Sequence, residues 1–308
     1  MRIYRGLPTA ADHPVALTIG NFDGVHRGHQ AMLMRLAEAA DDLRLAPAVM
    51  TFEPHPREFF APHAAPPRLM SLRAKLELLR AFGVARVFVA RFDQRLAGLH
   101  PDAFIDDVLV RRLGVRWVLV GDDFRFGHRR AGDLATLRAR SRTFSVEAMH
   151  TVEIDGERAS SSAVRAALLA GDVERASRLL GRPYAISARV AHGEKLGRRL
   201  GFPTANLPLR HPPAVAGVFA VRVRGLPGGM RSGVASVGVR PTVHAHARPL
   251  LEVFILDFDE PIYGRRLSVE FLHKLRDEAR YPDLDTLARK IGEDVAQARD
   301  WFRAHAHA

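Results

Sequence analysis

Residues Thr18–Gln30 read TIGNFDGVHRGHQ and connect a short apolar run to a helical pattern. The run, Val15–Ile19, has the continuous apolar character of a parallel strand that is buried on both faces. After it, apolar residues recur at helical spacing from Met32 to Ala40, which predicts an amphipathic helix beginning near Gly28. The turn therefore leads from a strand into a helix N-terminus, where free backbone N–H groups and the helix dipole favour an anion.

The turn itself combines glycines with two histidines, His26 and His29. Gly20, Gly24 and Gly28 let the backbone bend sharply and approach a phosphate closely. The GK[ST] ending of a P-loop is missing, and the glycine spacing differs from the GxGxxG dinucleotide fingerprint. A lone histidine here would most often be a surface or capping residue. Two histidines at H-x-G-H spacing on a strand–turn–helix instead favour a functional site.

Apolar runs at 48–52, 85–90 and 115–120 continue the pattern, with helical segments between them, whereas residues 1–14 resemble a short lead-in. This alternation predicts an open, doubly wound parallel sheet of the α/β class. Ligands of such sheets bind at the carboxyl ends of the strands. The loops that follow these runs, TFEPHP and GDDFRFG among them, are therefore candidate sites.

The pattern changes after Gly181 and Pro183, which end a helix. We therefore expect two domains, residues 1–182 and 183–308. In the second, apolar stretches separated by Gly/Pro-rich turns predict an antiparallel β-barrel. These stretches lie near 185–190, 217–224, 231–238, 250–258 and 267–272. A final segment, 284–302, has helical spacing and is expected to pack against the barrel.

A glycine-rich loop with Gly193 and Gly197 leads into the sequence PTAN, which contains Thr204 and Asn206. Backbone N–H groups of such a loop suit phosphate. A hydroxyl and an amide oxygen suit a hard cation such as Mg²⁺.

Glu252 lies within a strand pattern, LLEVFIL, that is otherwise apolar. A period of two places it on one face with Leu250, Phe254 and Leu256. A carboxylate on an apolar face is costly unless it has a partner. The residues alone leave two interpretations equally open, a salt bridge at a sheet edge or a general base.

Several of these segments together resemble one enzyme family. GNFDGVHRGHQ is similar to the HxGH signature of the nucleotidyltransferases and, in this form, to the bacterial bifunctional riboflavin kinases/FAD synthetases. TFEPHP, GDDFRFG and SSSAVR resemble further motifs of that family, and GRRLGFPTAN resembles its riboflavin kinase signature. The departures are modest: Ala159, Ser162 and Val164 replace Ile, Thr and Ile, and Tyr281 replaces Phe.

The resemblance implies two successive reactions. In the barrel ATP phosphorylates riboflavin to FMN, and in the N-terminal domain a second ATP adenylylates FMN, giving FAD and pyrophosphate with the help of Mg²⁺. It implies catalytic roles for His26, His29, Arg165 and Glu252. ATP is expected at Gly20, Asn21, Phe22, Gly28, Ser161, Ser162, Gly193, Gly197, Thr204 and Asn206, the last two also binding Mg²⁺. Flavin is expected at Phe52, His55, Pro56, Asp123, Phe124, Arg125, Phe126, Arg276 and Glu278.

Composition narrows the class of protein further. The chain of 308 residues has no cysteine, which excludes a disulfide scaffold and thiolate metal sites. It also lacks an apolar run of 18 or more residues, so we expect a cytoplasmic protein without a membrane partner. Whether it forms a homo-oligomer stays open.

The net charge of +12 would suit nucleic acid. However, almost all of the base is dispersed arginine and only 7% of residues are aromatic, so a compositional bias is the simpler explanation. We therefore expect no nucleic-acid partner. Two alternatives remain: an adenylyltransferase with another phosphate acceptor, or a basic nucleic-acid-binding protein.

Overall fold

The computed structural model describes residues 1–193, 196–239 and 249–305. These residues form two compact units, each built around its own sheet. The first unit contains Met1–Pro66 and Leu72–Ser160, and the second contains Pro67–Ser71 and the chain from Ser161 onward.

The first unit contains a parallel sheet of six strands in the order β1-β4-β3-β2-β5-β6, which confirms the predicted α/β class. The strands are β1 Arg2–Arg5, β2 Val15–Ile19, β3 Ala46–Glu53, β4 Arg86–Arg91, β5 Val115–Gly121 and β6 Ser145–Met149. The expected lead-in was wrong at residues 2–5, because that segment pairs with β4 as an edge strand. The other edge, β6, was also not predicted; its residues are at most half-buried and lack a continuous apolar run.

Helices flank this sheet. They are α1 Arg27–Asp42, α2 Pro56–Phe60, α3 Leu72–Ala81, α4 Gln94–Ala97, α5 Pro101–Ala103 and α6 Leu134–Arg140. A π-helix, Phe104–Arg112, continues α5, a 3₁₀ turn spans His128–Arg130, and a small hairpin pairs β7 Glu153–Ile154 with β8 Glu157–Arg158. The Asp133 side chain caps α6 by accepting a hydrogen bond from the backbone N–H of Thr136.

The strand order places the first candidate site. From β2 the chain adds β3 and β4 on one side, and β5 and β6 lie on the other. The order therefore reverses between β2 and β5, and open parallel sheets bind ligands in the crevice outside the carboxyl ends of such a pair. The loops that contain His26 and Phe124 follow these two strands directly.

The second unit contains an antiparallel sheet in the order β10-β13-β12-β11-β14-β9, with a terminal helix, as predicted. A bridge between Ala191, beyond the first strand, and Asn206 links the two ends of that order. The strands are β9 Tyr184–Arg189, β10 Thr204–Pro208, β11 Gly217–Leu226, β12 Gly229–Val239, β13 Pro249–Ile255 and β14 Arg266–Arg276. The helices are α7 Ser161–Leu169, α8 Val173–Leu180, α9 Leu196–Arg199 and α10 Leu284–Ala304.

The compact units divide at Ser160/Ser161, earlier than the domain boundary expected between residues 182 and 183. Helix α7 packs on α8, and α8 packs on β9 and β14. Asp172 caps α8. Gly181 ends this helix in the left-handed conformation, and the sequence predicted that end. The 182/183 boundary between the two activities stays a prediction.

Candidate active sites

The two histidines of the first site contact each other at the start of α1. His26 is the N-cap residue, and its Nδ1 accepts a hydrogen bond from the backbone N–H of His29 at 3.3 Å. The two imidazole rings are stacked with 3.7 Å between their centroids. Phe22 packs against the other side of His29, 4.8 Å between centroids. Capping thus fixes the position of both rings relative to the helix N-terminus.

Close packing around this turn explains its glycines. A Cβ atom on Gly28 would lie 3.0 Å from the carbonyl oxygen of Ala159 and 3.2 Å from the His26 ring. Phe22 and Val25 are fully buried and have positive φ angles of 48° and 42°. For a β-branched residue such a φ is an outlier that persists only where the surroundings enforce it. The backbone of the turn is therefore strained and held in one conformation.

The electrostatic surroundings keep His29 neutral. Burial lowers the pKa of His29 well below its usual 6.5, and the nearby charges of His26 and Lys75 lower this pKa further. Its Nδ1 atom is buried and has no hydrogen-bond partner among the described residues. At pH 7 the ring is thus an uncharged imidazole that can donate one hydrogen bond.

A cavity in the first unit combines the turn with the loop after β5. Three expected ATP-site residues, Gly20, Phe22 and Gly28, line it together with the expected catalytic residues His26 and His29. Two expected flavin residues, Asp123 and Phe124, line it as well. Arg158 also lines this cavity and forms an ion pair with Asp123 at 2.6 Å. This ion pair was not predicted from the sequence, because Arg158 lies in the short β7–β8 hairpin.

The other expected residues of the first unit lie outside this cavity. His55 is buried just after β3, Phe52 and Pro56 beside it are partly buried, and Asn21 is exposed on the turn. Phe126 packs in the core against Phe104, 5.4 Å between ring centroids, and so supports the neighbouring Phe124. Arg125 is exposed and donates to the carbonyl oxygen of Phe124 at 3.0 Å.

Ser161, Ser162 and Arg165 belong to the second compact unit. Both serines lie in the first turn of α7. Arg165 lies one turn later, and its Nε donates to the carbonyl oxygen of Pro67 at 2.8 Å. Their expected role in binding triphosphate stays a prediction.

The second site is a row of polar residues across three strands. In the β10–β13 register Asn206 lies opposite Glu252, and in the β12–β13 register Glu252 lies opposite Ser236. Directly opposite residues of antiparallel strands share a face of the sheet. The sequence placed Thr204 and Asn206 after a loop, whereas the structure places them on β10 itself.

As predicted, Glu252 lies on one face of β13 with the apolar residues Leu250 and Phe254. This face is only half-buried, because Leu251, Val253 and Ile255 on the other face of the strand fill the core. Glu252 instead faces a cavity, where a carboxylate can reach a ligand.

This second cavity contains most of the residues expected for the kinase reaction, namely Gly197, Thr204, Glu252, Arg276 and Glu278. Ser236 Oγ donates to Glu278 at 2.8 Å, and Gly238 leaves room for that carboxylate where a Cβ would clash. Arg276 lies 5.7 Å from the centroid of the Tyr281 ring. Gly193 lies outside the cavity, where its missing Cβ makes room for the Asn206 side chain.

The oxygen donors of the second site fit Mg²⁺. The amide nitrogen of Asn206 donates to the carbonyl oxygen of Thr204 at 3.2 Å, which directs the amide oxygen elsewhere. That oxygen and the Thr204 hydroxyl are hard donors, and Mg²⁺ typically takes few protein ligands beside phosphates and water. In the described ranges, no group of three or more His, Cys, Asp or Glu side chains could hold a metal ion.

Comparison with known proteins gives a family for each half of the chain. Residues 9–163 match the family model for FAD synthetase, and residues 180–302 match the model for riboflavin kinase. The chain is 46% identical to a bifunctional riboflavin kinase/FMN adenylyltransferase of Haemophilus influenzae, covering 99% of this chain and 100% of the relative.

The chain belongs to the bifunctional riboflavin kinase/FMN adenylyltransferase family.

Other members give the same result. The enzyme of Pseudomonas fluorescens is 49% identical over 94% of each chain, and that of Escherichia coli K12 is 46% identical over 98% of each. A crystal structure described as a macrolide-efflux protein from Streptococcus pneumoniae has the same fold, with a TM-score of 0.83 and 27% identity, covering 98% of this chain and 100% of that one.

Among the helices that the structure describes, none is long and apolar enough to cross a membrane.

The bifunctional enzyme phosphorylates riboflavin to FMN with ATP and then transfers an adenylyl group from ATP to FMN, giving FAD and pyrophosphate. The prediction of both reactions is confirmed, with FAD synthesis in the N-terminal half of the chain and riboflavin phosphorylation in the C-terminal half. The alternative of a single adenylyltransferase with another acceptor is wrong, since the second half of the chain matches a riboflavin kinase.

Proposed function

We propose that adenylyl transfer takes place at the N-terminus of α1, with His26 and His29 beside the ATP phosphates. The observation that supports this most directly is the stacked histidine pair at a helix N-terminus, lining a cavity at the switch point of the sheet. Such a terminus offers N–H groups and a positive dipole end to phosphate. Gly20, Phe22, Gly28 and Asn21 would complete the backbone around the nucleotide.

The chemistry at this site needs charge stabilisation rather than a strong base. The FMN phosphate is already ionised, and one of its oxygens attacks the α-phosphorus of ATP while the bond to pyrophosphate breaks. Negative charge builds up on the phosphoryl oxygens, where N–H donors act. A neutral His29 can donate to them, and removal of one such donor typically costs about 10²–10³-fold in rate. For Ser161, Ser162 and Arg165 the role in binding triphosphate stays a prediction from the sequence.

Flavin would bind beside this nucleotide. Phe124 offers a ring face in the cavity and Asp123 a carboxylate for a hydroxyl or ring N–H. Phe52, His55, Pro56, Arg125 and Phe126 are the further residues that we assign to the flavin side, with Phe126 acting through its packing on Phe124.

In the second unit we assign riboflavin phosphorylation to the cavity that contains Glu252. The Glu252 carboxylate would take the proton of the ribityl 5′-hydroxyl. The hydroxyl oxygen would attack the γ-phosphorus of ATP, and ADP would leave. Thr204 and Asn206 would hold Mg²⁺, which neutralises phosphate charge in such transfers. Gly193 and Gly197 would lie along the phosphates, and Arg276 and Glu278 would contact the flavin.

Incubation with riboflavin, ATP and Mg²⁺, with the products separated by chromatography, tests the proposal when it is applied to single-site variants. We expect His29→Ala to accumulate FMN and Glu252→Ala to make FAD only from added FMN. Loss of both activities from either folded variant would contradict the assignment. The cytoplasmic location and the lack of a nucleic-acid partner stay predictions from the sequence.

A further inference from the structure

Lys75 is a buried cation that neither proposed reaction uses. It lies on α3 and is only 1% exposed, whereas the other basic residues of that helix, Arg73 and Arg80, are exposed. Lysine is almost never fully buried without polar partners. Its position therefore requires an explanation in the groups around its ammonium.

The Lys75 ammonium lies against the loop after β3. Its Nζ is 3.4 Å from Thr51 Oγ1 and 3.4 Å from His55 Nε2. An ammonium group can only donate hydrogen bonds, so Thr51 Oγ1 and His55 Nε2 are its acceptors. Thr51 in turn donates to the carbonyl oxygen of Asn21 at 3.2 Å. Lys75 is thus connected through one hydroxyl to the turn that leads to His26 and His29.

We propose that Lys75 is a positioning residue for adenylyl transfer, whose buried ammonium holds Thr51 and His55 against the turn that contains His26 and His29. This inference rests on the proposed adenylyl-transfer site. A neutral side chain of similar length fills the same volume but cannot donate to either acceptor, and buried acceptors without donors favour other conformations. Misplacement of a site by about 1 Å can reduce a rate about 10²-fold.

The charge of Lys75 has a second consequence for the site. Together with burial and His26, it lowers the pKa of His29. The titratable groups around this ring are His26 and Lys75, with His55 in contact with the ammonium and Asp23 buried in the same turn. Removal of the Lys75 charge is therefore expected to raise the pKa of His29, which proton NMR of the imidazole can follow.

The test compares Lys75→Met with Arg73→Met, a matched change at a 67% exposed side chain on the same helix. In Lys75→Met we expect kcat for FAD formation from FMN to fall about 10²-fold, with KM for ATP changed less than threefold and a raised His29 pKa. Circular dichroism and thermal unfolding report folding, and riboflavin phosphorylation, which we assign to the second unit, is expected to stay normal. Arg73→Met should resemble the parent enzyme in all three measurements.

A second variant keeps the test decisive if Lys75→Met folds poorly. The chain has no cysteine, so Lys75→Cys contains a single thiol. Alkylation in denaturant with an aminoethyl group, followed by refolding, restores an ammonium on a side chain of nearly the same length, whereas an ethyl group does not. We expect only the aminoethylated enzyme to regain FAD formation, at least tenfold above the ethylated one.

Two results would overturn the inference: FAD formation within twofold of the parent in Lys75→Met, or equal FAD formation by the two alkylated enzymes when both refold with the circular dichroism spectrum and thermal unfolding of the parent. In either case His29→Ala separates the explanations. If it still abolishes FAD formation, only the role of Lys75 fails. If it does not, the proposed adenylyl-transfer site fails as well.

Discussion

Arg276 and Asp294 form a bidentate ion pair, in which Nε and Nη2 of the arginine lie 2.7 and 2.6 Å from the two carboxylate oxygens. Asp294 lies on α10 and is 3% exposed, whereas Arg276 ends β14 and faces the kinase cavity. These hydrogen bonds raise the pKa of Arg276, so the guanidinium stays charged. The terminal helix therefore fixes an arginine that we assign to the flavin side.

Asp294→Asn is expected to weaken riboflavin binding by the kinase site. The amide cannot pair with both guanidinium nitrogens, so Arg276 loses its fixed orientation. We expect KM for riboflavin to rise about tenfold and the free energy of unfolding to fall by about 2 kcal/mol, less than for a fully buried pair because Arg276 is partly exposed. Glu293→Gln, which alters an exposed ion pair one residue away, should change neither by a comparable amount.

Glu252→Ala is expected to abolish riboflavin phosphorylation while FAD formation from added FMN stays near normal. The reason is that the carboxylate is the proposed acceptor of the 5′-hydroxyl proton, and general bases typically contribute about 10²–10⁴-fold. Initial rates with each flavin substrate, analysed by chromatography, measure both steps. Glu260→Ala, an exposed residue after the same strand, is the control. Unchanged phosphorylation in Glu252→Ala would remove this residue from the mechanism.

His29 predicts a specific acid sensitivity. Its pKa in the folded chain lies below 6.5, so below about pH 6.5 the unfolded chain binds a proton that the folded chain does not. The contribution of His29 to the free energy of unfolding is complete above pH 6.5. It decreases as the pH falls toward the pKa of the folded chain, by at most about 1.4 kcal/mol per pH unit. His29→Asn should therefore lose less stability than the parent between pH 6.5 and 5. Parallel pH profiles of the two, with exposed His63→Asn as reference, would contradict this.

The sequence predicted those features whose cause is local. The apolar run Val15–Ile19 predicted a strand buried on both faces, and Gly181 predicted the end of α8. The histidine pair could be found because both rings belong to one turn. These features depend on residues within a few positions of one another.

The features that the sequence did not predict depend on distant partners. Lys75 is an ordinary helix residue until α3 packs on the end of β3, and Asp294 lies among the charged residues of α10 until it meets Arg276. Which face of β13 fills the core could not be predicted, because Leu250 and Leu251 fit either side of a strand equally well. In each case tertiary contacts determine the role of the side chain.

Gly28→Ala should impair the active site although it favours the helix, since alanine is the better helix former by about 1 kcal/mol. A Cβ here would come within 3.0 Å of the Ala159 carbonyl oxygen and 3.2 Å of the His26 ring, so the cap and the stacked histidines must shift. We expect FAD formation to fall about 10²-fold with riboflavin phosphorylation unchanged. The matched control is Gly292→Ala in α10, where the nearest atom lies 3.7 Å away and the change should stabilise the protein. Normal FAD formation in Gly28→Ala would show that contact between the rings and the turn is dispensable, and His26 would then lose its assigned place beside the phosphates.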